Sequence, residues 1–303
     1  MIFKHIDVTT KVGCKISCSY CPQNLFINQY SKRSNIYEMS IDTFMRCTNK
    51  LPKNFAVVFS GFTEPFLNPE CNKMIKYAYD SGFKTSVFTT TVGLKIKDIE
   101  LLKNINFDQF VVHLPGNKSK EKITVDENYF EIMDKIIENI NNAIFLFPKD
   151  PWLYEDVHPR VKKYFKEKDI PIWNLLKHTR CKNVEIEGLK NKKIKGSLLY
   201  CPILNGNVLL PNGDVALCCM DFGLKHILGN LLLSDYNSII DSDEYKRVIK
   251  GLKDDSIDIL CRYCSAARRK NMVLGSYDSF RQKGLEYLNI NSIRYIKQYL
   301  KNK

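Results

Sequence analysis

Short apolar segments alternate with longer amphipathic ones through the first part of the chain. The segments predicted to be strands are 2–10, 55–60, 85–89, 110–114, 143–147 and 170–174. The segments with apolar residues at helical spacing are 40–49, 69–82, 96–104, 126–140 and 159–168. Strands separated by helices of this length indicate parallel βαβ units. The pattern therefore predicts an α/β fold, a partial (β/α)6 TIM-like barrel, with its site at the carboxyl ends of the strands.

A different pattern begins near residue 200. Two short apolar runs, 208–210 and 215–217, flank the turn tetrapeptide 211–214 and predict a β-hairpin. Further on, an apolar repeat at helical spacing predicts a last helix near the end of the chain. We therefore expect a small C-terminal β-hairpin/α domain followed by a helical tail.

Three cysteines follow the first predicted strand in a C-x3-C-x2-C arrangement: Cys14, Cys18 and Cys21, called here the first thiol group. Soft thiolates suit iron, and three of them on a four-iron cluster leave one iron open to an amine and a carboxylate. A zinc ion would need a fourth ligand, for which His5 or Cys47 are candidates at unusual spacings. A disulfide framework is disfavoured because nothing marks the chain as secreted.

Four further cysteines supply a complete ligand set: Cys201, Cys218, Cys261 and Cys264, called here the second thiol group. They suit a second four-iron cluster or a structural zinc ion, and spacing alone does not separate the two metals. Cys219 is an alternative to Cys218, because adjacent residues of a strand point to opposite faces. Cys181 has no partner cysteine close to it in the sequence.

The first thiol group, with Tyr20 just before its third cysteine, resembles the motif of the radical S-adenosylmethionine (radical SAM) superfamily. The resemblance implies a [4Fe-4S] cluster whose open iron binds SAM, and cleavage of SAM to a 5′-deoxyadenosyl radical. Gly61-Phe62-Thr63-Glu64-Pro65 is similar to the family's Gly-Gly-Glu motif, which implies that Glu64 binds the amino group of SAM. A structural alternative is that Glu64 caps the helical segment after Pro65.

Other polar residues follow the strands whose ends line the cofactor and substrate cavity in this family. The resemblance implies these cofactor-binding residues: Tyr20, Gly61, Thr63, Glu64, Thr89, Thr90 and Arg180. His113 and Arg180 are the candidate catalytic residues, because His113 ends a strand that lines the cavity in this family and arginine suits carboxylate recognition. The alternatives are a scaffold histidine and a surface arginine.

Residues from Cys201 onward resemble the twitch domain, a shortened SPASM domain. The resemblance rests on Gly213-x4-Cys218, Asp221-Phe222, Gly229-Asn230 and the final C-x2-C. It implies one auxiliary [4Fe-4S] cluster, because a full SPASM domain needs seven cysteines and this chain has five after residue 200. The spacing from Gly213 selects Cys218, rather than Cys219, as the expected cluster ligand.

The expected domains are a radical SAM core at 1–190, a twitch-like domain at 195–270 and a tail at 271–303.

Composition narrows the class of protein further. The chain has 303 residues, eleven cysteines and a formal net charge of +13. No apolar run is long enough for a membrane span and no leader precedes the first strand, so we expect a cytoplasmic protein with reduced thiols. Lysines are scattered over predicted helix surfaces without interleaved aromatic residues, which argues against a nucleic-acid partner.

These features predict a radical SAM oxidoreductase. The pairing of the core with one auxiliary cluster is similar to the aminocyclitol-oxidising radical SAM dehydrogenases, which implies hydrogen abstraction from a sugar, cyclitol or amino-acid derivative and electron transfer to the auxiliary cluster. A flavodoxin or ferredoxin is the expected low-potential electron donor. One alternative is a maturase that modifies ribosomal peptides, and another is a non-enzymatic iron–sulfur or zinc protein.

Overall fold

The fold is described from a computed structural model. The described residues are 4–18, 21–117, 122–149, 156–176, 180–184, 193–197, 201, 203–204, 206–264 and 266–267. Tyr20 and the predicted helical tail at 271–303 lie outside these residues.

Six parallel strands form the first part of the sheet, as the apolar pattern predicts. They are β1 His5–Val8, β2 Ala56–Phe59, β3 Lys84–Thr89, β4 Gln109–His113, β5 Ala143–Lys149 and β6 Ile172–Leu176. They lie side by side in the order β6-β5-β4-β3-β2-β1. The predicted α/β fold with a partial barrel is confirmed.

Helices connect these strands. They are α1 Gln23–Tyr30, α2 Ile41–Thr48, α3 Cys71–Asp80, α4 Ile96–Leu102, α5 Glu127–Asn139 and α6 Pro159–Glu167. Side-chain caps begin two of them, since Ser40 accepts a hydrogen bond from the Thr43 backbone and Asp126 accepts one from the Tyr129 backbone. Helix α1 was not predicted, because it follows the thiol loop directly and buries only Phe26 and Tyr30 fully.

The C-terminal strands continue the same sheet. Strand β7 (Gly206–Leu209) pairs in parallel with β1, and β8 (Asp214–Ala216) and β9 (Ile227–Asn230) follow antiparallel. The predicted hairpin is therefore present, whereas β9 and the helices α7 (Tyr236–Ile240) and α8 (Asp243–Lys253) were not predicted. The apolar pattern does not encode that the hairpin joins the barrel sheet beside β1.

The two faces of the barrel strands carry different apolar groups. Phe110 and Val112 of β4 belong to the main core, which includes Met133 and Ile136 of α5. Val111, at the position between them, packs instead with Ile144 and Leu146 of β5. Since side chains alternate along a strand, this second group faces the inside of the barrel. None of the helices in the described part of the chain combines the length and apolar character needed to cross a membrane.

Candidate active site

The first thiol group lies in a tight loop between β1 and α1. The Cys21 backbone N–H donates to the Cys18 carbonyl over 3.0 Å, and Gly13 and Ser17 have left-handed φ values of 98° and 62°. Such φ values favour glycine and are uncommon elsewhere, which marks a loop with a specific shape. All three thiols are partly exposed and none forms a disulfide.

The surroundings of the first thiol group disfavour thiolates unless a cation is present. Burial raises the pKa of Cys14, and it raises the pKa of Cys21 to about 12. The Arg180 charge lowers the pKa of Cys21, whereas the neighbouring Cys14 raises it. A bound metal reverses this preference, because coordination deprotonates thiols. The donor set therefore fits an iron–sulfur cluster.

Within the described residues, no three His, Cys, Asp or Glu side chains form a site for a single metal ion. A four-iron cluster is larger than one ion, and its thiolates stand further apart around it.

Glu64 lies behind the first thiol group and is buried. Its Oε1 accepts hydrogen bonds from Thr89 Oγ1 at 2.6 Å and the Phe66 backbone at 3.3 Å. Its Oε2 accepts from the backbone N–H and the hydroxyl of Thr90 at 2.6 and 2.7 Å. A carboxylate has about four acceptor positions, so groups of the protein use all of them. Glu64 thus caps the short 3-10 helix Pro65–Leu67, as the structural alternative holds, and its contact with SAM stays a prediction.

The Glu64→Gln substitution is expected to reduce the free energy of unfolding by about 2–4 kcal/mol, because the new amide nitrogen would face hydrogen-bond donors. Urea unfolding monitored by circular dichroism measures this change. Glu138→Gln is the control, since the Glu138 side chain is 56% exposed in a surface ion pair. A stable Glu64→Gln protein that binds SAM weakly would instead favour direct contact with the cofactor.

Two other predicted cofactor residues shape the loop after β2. A Cβ atom on Gly61 would lie 2.2 Å from Thr9 Oγ1 and 2.9 Å from the Thr9 backbone nitrogen, and the φ of Gly61 is 62°. Only glycine fits this position. Thr63 donates its hydroxyl hydrogen to the Lys11 carbonyl over 2.6 Å. Both residues therefore hold the loop against β1, and their contact with SAM stays a prediction.

The cysteines of the second thiol group lie in the segments next to strands β7 and β8, and in or directly after the 3-10 helix Leu260–Tyr263. Cys218, Cys261 and Cys264 are buried and Cys201 is partly exposed. Burial and the neighbouring thiols raise the pKa of Cys218 well above its usual value. These four residues lie up to 63 positions apart in the sequence, yet they influence one another's pKa. Their role as ligands stays a prediction.

Cys218 and Cys219 have different surroundings. Cys218 belongs to the main core together with Cys261 and Cys264. Cys219 packs with the group that contains Phe26 and Phe222, and its pKa is raised to about 12 by burial and by the charge of Asp7. The thiols of Cys201 and Cys264 also act on Cys219, so the choice of Cys218 as ligand stays a prediction.

Cys181 is a thiol whose surroundings the sequence did not reveal. Its side chain packs against the main core, which contains Cys218, Cys261 and Cys264. These neighbouring thiols and burial raise the pKa of Cys181. Cys181 has no cysteine close to it in the sequence, but folding brings it near Cys264, 83 positions away.

Arg180 lies between the two thiol groups. Its charge acts on Cys21 of the first group and on Cys264 of the second. The guanidinium carbon lies 5.5 Å from the ring centroid of Phe222, and Nη1 is 3.4 Å from Met220 Sδ. Among the described residues, the buried Nε has no hydrogen-bond partner.

His113, at the end of β4, has a similar unsatisfied nitrogen. Its buried Nε2 also has no hydrogen-bond partner among the described residues. Burial and the Arg180 charge lower the pKa of His113 to about 4, so the imidazole is neutral near pH 7. Asp7 of β1 is a third polar residue of this site, besides Arg180 and His113. Ser60 Oγ donates a hydrogen bond to its Oδ1 over 3.1 Å. Burial raises the pKa of Asp7, and the Arg180 charge lowers it.

Comparison with protein families gives two matches in this chain. A model described as the radical SAM superfamily matches residues 8–152, and a SPASM model described as an iron-sulfur cluster-binding domain matches residues 201–265. The first match contains the first thiol group and Glu64. The second contains Cys201, Cys218, Cys261 and Cys264, and leaves Cys181 outside.

Solved structures with a similar fold include BtrN in complex with AdoMet and 2-DOIA. It is 16% identical, with 88% of this chain and 94% of that chain covered and a TM-score of 0.57. Native anSMEcpe with bound AdoMet is 15% identical, with 87% of this chain and 88% of that chain covered and a TM-score of 0.56. At these identities the likeness shows the fold alone.

A curated relative matches part of the chain. It is the probable dual-specificity RNA methyltransferase RlmN of Malacoplasma penetrans (strain HF-2), 28% identical over 151 residues. The match covers 46% of this chain and 42% of that protein, so this chain spans less than half of the length of that relative.

Proposed function

Because the chain belongs to the radical SAM superfamily and carries a SPASM-type iron–sulfur domain, we propose that it oxidises a small polar substrate by hydrogen abstraction. Its cofactors are SAM, a [4Fe-4S] cluster with an open iron for SAM, and one auxiliary [4Fe-4S] cluster. When bound, they supply a carbon radical that removes hydrogen and a centre that accepts one electron.

The proposed ligands are the two thiol groups. Cys14, Cys18 and Cys21 would hold the cluster that binds SAM, in a loop that gives three thiolates and leaves one iron open. The second thiol group would hold the auxiliary cluster with four thiolates and no open iron. Burial of the second group supports this role, because a fully ligated cluster that only transfers electrons needs no access for a substrate.

The observation that carries the substrate proposal is the pair of unsatisfied nitrogens, Nε of Arg180 and Nε2 of His113. Buried polar atoms without partners are rare in native proteins and suggest a missing polar ligand. The Arg180 charge acts on His113, so one small molecule would reach both. Arg180 would donate to an oxygen of the substrate, and the neutral His113 would accept the proton of a substrate hydroxyl.

The apolar group of β4 and β5 supports the same proposal. Val111, Ile144 and Leu146 lie below His113 on the inner face of the barrel and exclude water from that side. Exclusion of water protects a carbon radical from side reactions. The chain would therefore position the reacting carbon between a polar end, at Arg180 and His113, and an apolar floor.

An anaerobic isotope-transfer assay tests this function. The reconstituted protein is incubated with SAM, dithionite and a panel of deuterated cyclitols, sugars and amino acids. We expect 5′-deoxyadenosine in the absence of a substrate, and deuterated 5′-deoxyadenosine with the correct one, in about equal amount to a product oxidised by two electrons. Absence of 5′-deoxyadenosine under all conditions would contradict the proposal.

Variants separate the proposed substrate contacts from cofactor chemistry. Arg180→Gln and His113→Gln should still cleave SAM without substrate, but should lose deuterium transfer at least tenfold. Arg46→Gln is the control, because Arg46 is 59% exposed on α2. Equal loss of both activities would place these residues at the cofactor.

Peptides and RNA belong in the same panel as alternative substrates. One solved structure of similar fold, at a TM-score of 0.55, is native anSMEcpe with bound AdoMet and Cp18Cys peptide, and the curated relative is called an RNA methyltransferase. Deuterium transfer from a peptide would favour the maturase alternative. Methylation of RNA would contradict the proposed oxidation of a small polar substrate. The flavodoxin or ferredoxin donor and the cytoplasmic location stay predictions.

A further inference from the structure

Asp7 is a buried carboxylate on the inner face of the barrel. Its neighbours along β1, Ile6 and Val8, belong to the main core on the helix side of the sheet. Since side chains alternate along a strand, Asp7 points to the opposite side, into the barrel. Its side chain is only 7% exposed. A charged group in such a place needs hydrogen bonds and an opposite charge to offset the loss of water.

The contacts of Asp7 within the described residues reach only one of its two oxygens. Ser60 Oγ donates to Oδ1 over 3.1 Å, and His5 Nε2 lies 3.9 Å from the same oxygen. No lysine or arginine nitrogen of the described residues lies within 4.0 Å of this carboxylate. The buried carboxylate of Glu64, in contrast, accepts four hydrogen bonds. In the described part of the chain, Asp7 Oδ2 therefore has no donor.

Strand pairing connects Asp7 with Arg180 on one side. The residue opposite Asp7 on β7 is Val208. Val208 belongs to the same apolar group as Phe222, and the Arg180 guanidinium lies over the Phe222 ring. Asp7 and Arg180 are thus linked through two residues that pack together. The charge of Arg180 acts on Asp7, in agreement with this placement.

Strand pairing connects Asp7 with His113 on the other side. The register of β2 and β3 continues to Ser60, the donor to Asp7, beside Phe88. The Phe88 ring meets the His113 imidazole edge to face, with centroids 6.3 Å apart. Asp7, Arg180 and His113 therefore surround one space inside the barrel.

These three residues leave polar groups that a neutral ligand does not satisfy. Among the described residues, Nε of Arg180 and Nε2 of His113 have no partner, and Oδ2 of Asp7 has no donor. Hydroxyl groups of a ligand satisfy the two nitrogens but supply no positive charge for Asp7. A protonated amine supplies N–H donors together with that charge, and charge-assisted hydrogen bonds are the stronger ones. Primary amines are mainly protonated near pH 7.

We propose that Asp7 binds the ammonium group of the substrate, which makes the substrate a small polar primary amine such as an amino sugar, an aminocyclitol or an amino acid. This assignment rests on the proposed function and narrows its substrate class. The ammonium group lies at Asp7 on β1, and the oxygen atoms of the same molecule lie at Arg180 and His113. Asp7 is then a residue that determines substrate specificity.

Calorimetric titration with matched pairs of compounds tests this contact without turnover. The protein with both clusters is loaded with SAM in the absence of a reductant. It is titrated with glucosamine and glucose, myo-inosamine and myo-inositol, and serine and glycerate. We expect at least one amine to bind about tenfold more tightly, or better, than its hydroxyl counterpart. In Asp7→Asn, which keeps an oxygen for Ser60, this preference should fall below about twofold.

The matched control is Asp42→Asn, because the Asp42 side chain is 75% exposed in a surface ion pair and its replacement should keep the preference. Asp7→Val replaces Asp7→Asn if that protein does not fold, since a branched apolar side chain suits a strand. The proposal is overturned if no amine binds the parent protein more tightly than its hydroxyl counterpart. An unchanged preference in the Asp7 variant also overturns it, because the ammonium group would then bind elsewhere.

The binding assay separates this proposal from the proposed oxidation. An amine that binds through Asp7 but transfers no deuterium to 5′-deoxyadenosine would contradict the oxidation alone. Deuterium transfer from a neutral polyol, without tighter binding of any amine, would support the oxidation and overturn the role of Asp7.

Discussion

Alanine at Cys14, Cys18 or Cys21 is expected to abolish 5′-deoxyadenosine formation, with a loss of at least about 1,000-fold. In the proposed function, SAM cleavage requires the cluster that the first thiol group would hold, and removal of one of its three thiols would prevent assembly of that cluster. The iron content should fall from about eight to about four atoms per chain, because the auxiliary cluster remains. Chromatographic assay of 5′-deoxyadenosine and colorimetric iron analysis measure the two effects.

Cys71→Ala is the matched control for this prediction. Cys71 is a buried thiol of α3 that belongs to the main core, and its replacement should preserve both iron content and SAM cleavage. A loop variant that keeps eight irons and continues to cleave SAM would remove the first thiol group from the mechanism. A loss of all eight irons would mean that the two clusters do not assemble independently.

Arg262→Leu is expected to reduce the free energy of unfolding by about 3–5 kcal/mol and to remove the auxiliary cluster. Arg262 is fully buried between Cys261 and Tyr263. Its Nε and Nη2 donate to the Gly251 carbonyl at 3.1 and 2.6 Å, and its Nη1 donates to the carbonyls of Ile194 and Gly196. Leucine would leave these buried acceptors without donors, which costs more than the loss of the bonds themselves.

Urea unfolding of the full chain and iron analysis check the Arg262 prediction. Arg46→Leu is the control, since exposed ion pairs such as Arg46 with Asp42 contribute less than about 1 kcal/mol. A change below about 1 kcal/mol in Arg262→Leu, with the auxiliary iron retained, would show that water or rearranged backbone satisfies the three carbonyls.

Local patterns predicted most of the barrel. Runs such as Ala56–Phe59 are apolar and short, and helices α2 and α5 begin at recognisable caps, Ser40 and Asp126. Helix α1 lacked such a signal, because Pro22 precedes it without a capping side chain, although Phe26 and Tyr30 stand one helical turn apart. Strand β9 was missed because its Leu228-Gly229-Asn230 sequence was interpreted only as a family motif.

The sequence by itself determined which thiols stand close together, because close spacing forces Cys14, Cys18 and Cys21 into one loop and a C-x2-C pair into one turn. Only the tertiary structure decided which distant groups meet. It paired strand β7 of the hairpin with β1 and placed Cys181 near Cys264. It also filled the acceptor positions of the Glu64 carboxylate with groups of Thr89 and Thr90 at the end of β3. Such contacts depend on the packing of whole elements, which short-range spacing does not encode. The unsatisfied nitrogens of Arg180 and His113, to which we assign the substrate in the proposed function, also depend on the tertiary structure.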